Sequence, residues 1–187
     1  MNIIEKIIHF RQTRVLRSLS NAKRKKRIEN MENIKAVGII FEVGSDKEWN
    51  TLYAFTRALE NEKKKVWLIG FQRDKQEINY IFTHSRTIIC HEKEDFNFFK
   101  LPKEGIIEGF TNQHFNLLID CTKEPNFFGQ YVAAKSSADL KVTYMNNNEN
   151  SMDEAETIFD FQIHDNKPID LNQYLTNVQT YLGMIRK

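Results

Sequence analysis

Two short polar turns hold the residues whose types and spacing could do chemistry. Glu42-Val-Gly-Ser-Asp-Lys-Glu48 places Gly44, Ser45 and Asp46 where an apolar run gives way to a helical pattern. Backbone N–H groups at such a junction lack intrahelical partners and attract anions, so the turn could cradle a phosphate or carboxylate. Ser45-x-x-Glu48 is also a capping box, in which the hydroxyl and the carboxylate satisfy those N–H groups internally, and the spacing favours the cap. The second turn, Asp120-Cys-Thr-Lys-Glu124, ends another apolar run. With Thr122 beside it, the Asp120 carboxylate could act as a base, hold a ribose hydroxyl or cap a helix beginning at Pro125, and capping is again favoured.

Other chemistries find no footing. Neither G-x-G-x-x-G nor G-x-x-x-x-G-K-[ST] occurs, which removes both Gly-based nucleotide fingerprints. The histidines, His9, His84, His91, His114 and His164, show no H-x-x-x-H or H-E-x-x-H spacing, so no metal site is expected. No serine sits in G-x-S-x-G. Cys90 and Cys121 each end an apolar run and read as inert, part-buried thiols rather than as a scaffold or a nucleophile. The sequence shows no recognisable catalytic motif, and no cofactor is expected.

The elements that must position the two turns follow from periodicity. Ala36–Val43 and Val66–Phe71 are short continuous apolar runs rich in β-branched residues, as in strands buried on both faces of a parallel sheet. Between them Trp49, Leu52, Tyr53, Phe55, Thr56 and Leu59 recur at helical spacing. The unit is strand–helix–strand, with a right-handed crossover. A short helix capped by Asp74 and carrying Ile78, Ile81 and Phe82 is expected next, then a strand over Arg86–Cys90. His91–Lys100 reads as a loop whose Phe96, Phe98 and Phe99 cover a sheet edge.

A weak helix over Lys103–Asn112, a clear strand over Phe115–Cys121, a helix from Pro125 to Ser137 and a strand over Leu140–Met145 continue the alternation. Asn146–Ser151 has only turn chemistry. Phe159, Phe161 and Ile163 alternate with Asp160, Gln162 and His164, the period of an edge strand. Asp170 caps a closing helix with Leu171, Tyr174, Leu175, Val178, Tyr181, Leu182 and Ile185 on one face. The expected fold is α/β, a three-layer, mostly parallel Rossmann-like sheet of five or six strands. A ligand crevice would lie where strand order reverses, at the two polar turns.

Charge is uneven. Residues 1–35 hold ten Lys/Arg against three Glu, a net of +7 that leaves −5 for the rest of a chain whose total is +2. Residues 2–28 read as one helix, with Ile4, Ile8, Val15, Leu19 and Ala22 on one side, flanked by Ile3, Ile7 and Leu16. Lys6, Arg14, Arg17 and Arg24 project from another sector, and the run Lys23, Arg24, Lys25, Lys26, Arg27 ends the segment in charge alone. Such a helix can pack on its own domain, lie on an anionic membrane or contact RNA phosphates. Arg11 and the lack of Trp count against the membrane; a single aromatic, Phe10, leaves no stacking platform for base reading. Residues 1–34 are thus expected to form a basic amphipathic helix and linker, and residues 35–187 a single α/β domain. With Pro at 3 and Gly at 7, disorder and turn-dense all-β folds are disfavoured. No signal-peptide pattern and no transmembrane segment is read, and the expected compartment is the cytoplasm.

Several of these features together carry two resemblances. The basic leader, Phe115-Asn-Leu-Leu-Ile-Asp120, Ala133-Ala-Lys-Ser-Ser-Ala138 and the closing Tyr181-Leu182 resemble an uncharacterised family of small Bacteroidota proteins, a domain of unknown function. That resemblance implies a fold and brings no activity. Over residues 36–144 only, Gly44-Ser-Asp46 followed by Trp49–Leu59, and Asn116–Asp120 followed by Ala138 and Tyr144, are similar to the amino-terminal domain of heptosyltransferase-like glycosyltransferases. There a Gly-Asp after the first strand supplies the catalytic carboxylate, which would fall on Asp46. Here Ser45 separates the two residues, and the sugar-nucleotide domain is not among the 187 residues.

The function expected from the sequence is a non-enzymatic α/β module whose basic helix docks on an anionic partner, RNA or a ribonucleoprotein ahead of a membrane surface. Lys6, Arg14, Arg17 and Lys23 to Arg27 would neutralise phosphates without reading bases. The alternative is a phosphate or sugar-nucleotide binder or enzyme, glycosyltransferase-like, using Gly44, Ser45, Asp46, Asp120 and Thr122.

Overall fold

The computed structural model describes residues 2–20, 24–73, 84–122, 126–146, 158–165 and 169–185. The expected helix capped by Asp74, the Asn-rich turn after Asn146, Pro125 and Lys23 lie outside the described residues. Six parallel strands form one sheet: β1 (Ala36–Glu42), β2 (Lys65–Gln72), β3 (Thr87–His91), β4 (His114–Asp120), β5 (Ser137–Asn146) and β6 (Phe161–Asp165). Their order is β3-β2-β1-β4-β5-β6. Ile39 is in register with Leu68 on one side and Ile119 on the other, so the three most apolar runs lie side by side at the centre.

Helices cover both faces. On one, α2 (Asp46–Asn61) and a carboxyl-terminal helix, α5 (Leu171–Gly183), bury Trp49, Leu52, Leu59, Tyr174, Val178 and Leu182 against Ile39, Leu68 and Ile119. On the other, α1 (Ile3–Ser20), α3 (Glu104–Thr111) and α4 (Phe127–Lys135) enclose Leu16, Ile107, Phe110, Phe128 and Val132 with Ile40, Ile69 and Leu118. Alternate residues of each strand feed opposite cores. This is a three-layer, Rossmann-like α/β fold.

Two elements depart from the sequence reading. α1 stops at Ser20, and residues 24–29 run without helix to a 3₁₀ turn at Met31–Asn33. There the Arg27 N–H donates to the Asp139 carbonyl and the Arg24 guanidinium to the carbonyls of Ala138 and Asp139. Bonds to a distant strand replace helical ones. β6 begins only at Phe161, so Ile158 and Phe159 lie in the α3/α4 core while Ile163 enters the opposite one.

Candidate functional site

The reversal in strand order falls between β1 and β4, and both polar turns meet there. The Cys121 N–H donates to the Ile40 carbonyl at 2.8 Å, closing the end of β4 on β1. The first turn is a complete capping box: Ser45 N–H donates to Glu48 Oε2 at 2.9 Å and Glu48 N–H to Ser45 Oγ at 3.4 Å. A Cβ on Gly44 would stand 2.2 Å from Glu48 Oε2. The carboxylate of Glu48 therefore occupies the cradle that a phosphate would need. Gly44, Ser45 and Asp46 are all exposed.

At the second turn Asp120 is 2% exposed, and Thr122, also buried, donates its N–H to Asp120 Oδ1 at 3.0 Å. The amino-terminal turn of α4 closes on this carboxylate so tightly that a Cβ on Gly129 would lie 2.8 Å from Asp120 Oδ2. Burial pushes the Asp120 carboxyl up to about 6, against the smaller opposing effect of the Thr122 bonds. The helix cap is Asn126, which accepts from the Gly129 N–H at 2.8 Å, so Asp120 does not cap α4. Across the sheet, burial raises both the Cys121 thiol and the Tyr174 hydroxyl well above their usual ranges. The Tyr174 hydroxyl has no hydrogen-bond partner among the described residues. Among the described residues no three His, Cys, Asp or Glu gather as metal ligands. A groove of about 720 Å³ lies elsewhere, between α2 and α5, beside Lys47, Thr51, Thr176 and Gln179.

The cations expected to meet an anionic partner divide. Lys6, Arg14 and Lys25 are exposed and form no ion pair among the described residues, and Arg17 is exposed as well. Arg24 and Lys26 both close on Asp160, Lys26 at 2.9 Å, and Arg27 pairs with Glu29 at 2.9 Å. The first two of these join the leader to the residue that precedes β6. Their role in the fold has no signature in the basic run itself, because Asp160 lies more than 130 residues away.

α1 is amphipathic in an unexpected sense. Its inner side packs Leu16, with Val15 and Leu19 partly buried. At about 100° per residue, Ile3, Ile7, Phe10 and Arg14 share the opposite sector, with Lys6, Arg17 and Arg11 at its margins. Ile3 is 77%, Ile7 51% and Phe10 67% exposed. Arg11 rests over the Phe99 ring at 5.9 Å, and Gln12 donates to the Phe99 carbonyl at 3.2 Å. Phe98, 70% exposed, stands edge-on to Phe99. The sequence gives no hint of this neighbour, since only tertiary packing brings the loop to the helix.

No described helix is long and apolar enough to cross a membrane. No curated protein and no solved structure matches the chain, so the likeness to glycosyltransferases has no support from these comparisons. The model of a family of unknown function, DUF6913, matches residues 9–185, nearly the whole length from α1 to α5, and the chain belongs to that family.

Proposed function

We propose that this chain is a cytoplasmic α/β binding module that docks on an anionic partner through the outward face of α1. The observation that carries the proposal is the sorting of charge on that helix. Lys6, Arg11, Arg14 and Arg17 are exposed, while the one acid of α1, Glu5, exposed as well, lies outside the outward sector and bonds with Asn2. Lys25, beyond the helix, is also exposed. Opposite charge concentrated on one face draws a polyanion at long range and releases the partner's counterions on contact.

The crevice between β1 and β4 supports a ligand less well. Glu48 fills its anion cradle, and Asp120 is sealed beneath α4. The test is retention of the full chain on phosphocellulose, a polyanion with neither bilayer nor bases. Replacing Lys6 and Arg14 by Glu should lower the eluting salt concentration markedly, because both side chains stand in solvent and their loss leaves the fold intact. Unchanged elution would remove the docking proposal.

A further inference from the structure

We infer that the anionic partner is a phospholipid leaflet, with the amino-terminal half of α1 and Phe98 entering it. The inference rests on the docking proposal and names its partner. The outward sector of α1 changes character along its length: Ile3, Ile7 and Phe10 come first, with Lys6 at the margin, then Arg14, with Arg17 at the same margin. The apolar part is exposed although the same helix buries Leu16 on its other side.

A phosphate ladder offers nothing to isoleucines, so an RNA contact would cover three large apolar side chains without gain. A bilayer interface takes both halves. Apolar groups sink to the headgroup–acyl boundary while cations stay among anionic headgroups. Phe98 adds a second anchor beside the middle of the helix, held there through Phe99, Arg11 and Gln12. Arg11, which interrupts the apolar series, is accommodated by the Phe99 ring.

The experiment uses the full chain against two probes. One is vesicles of phosphatidylcholine with or without phosphatidylglycerol, read by sedimentation. The other is single-stranded polyuridylate, read by anisotropy. Binding is expected to vesicles containing phosphatidylglycerol and to weaken with salt. Each cation reversed on α1 should lower it by about fivefold or more. The paired variant Ile7→Ser with Phe10→Ser should lower it on the order of tenfold or more, since those groups lose their burial in the leaflet, and leave phosphocellulose retention unchanged.

Polyuridylate binding without vesicle binding would overturn the lipid assignment and keep the docking proposal. Failure on vesicles and phosphocellulose alike would overturn both. Vesicle binding indifferent to the paired variant would show adsorption by charge alone and overturn insertion. A self-associated chain that the paired variant renders monomeric would assign the apolar face to a second copy and overturn the inference as well.

Discussion

Burial outweighs the Thr122 bonds at the Asp120 carboxyl, and the folded chain therefore holds its proton up to about pH 6, where the unfolded chain has released it near the ordinary value of 3.8. Stability contributed by that group is whole at low pH and is lost as pH rises through this window. Asp120→Asn keeps an acceptor for the Thr122 N–H and removes the titration. The variant's stability relative to the parent should grow by roughly 2–3 kcal/mol between about pH 4 and pH 7, measured by urea unfolding. A flat difference would mean that the carboxylate is solvated. Asp160 behaves oppositely: burial pushes it up, but the bonds from Arg24 and Lys26 outweigh burial and hold it below its usual range. Its contribution is present above the ordinary carboxylate value and is lost as pH falls through the lowered one. Asp160→Ala leaves the largely buried Arg24 uncompensated and should cost about 3 kcal/mol, whereas Lys26→Ala, at an exposed partner, should cost no more than about 1 kcal/mol. Equal losses in urea unfolding would contradict the division of labour between the two cations.

At the scale of elements, what could be read in advance is what local pattern determines. β1 and β2 are legible because six successive residues are apolar or small, Ala36–Phe41 and Val66–Phe71, and β4 because Phe115 and Leu117–Ile119 are apolar, as suits strands covered on both faces. α2 and α5 are legible because period and cap agree, Ser45 with Glu48 and Asp170 with the Gln173 N–H. The end of α1 is not legible, because a string of Lys and Arg has good helix propensity and is drawn out by carbonyls of β5 and by the distant Asp160 carboxylate. Nor is the start of β6, where Phe159 continues the alternation but turns to the other core. The inner and outer sides of α1 make separate predictions. Leu16→Ala should cost about 2–4 kcal/mol as a cavity under the helix, and Ile7→Ser should stay within about 0.5 kcal/mol, both by thermal or urea unfolding. A large loss for Ile7→Ser would place that side chain in a packed contact and remove it from the docking face.

Across the molecule, the alternation of apolar runs and amphipathic helices specifies three layers, while the strand order β3-β2-β1-β4-β5-β6 is a tertiary outcome that the pattern does not carry. That order brings Gly44–Asp46 and Asp120–Thr122 to one edge, as the sequence alone suggested. What it could not disclose is the filling of that edge: Glu48 folding back on Gly44, and α4 closing over Asp120 because Gly129 lacks a Cβ. The molecule thus presents exposed cations and exposed apolar side chains together along α1. Hydrogen–deuterium exchange of the full chain, with and without vesicles containing phosphatidylglycerol, tests this placement most directly. Slower exchange is predicted over residues 3–17 and around Phe98, with β1, β4 and the turns at Gly44 and Asp120 unchanged. Protection at those two turns with α1 unaffected, or no protection anywhere, would contradict it.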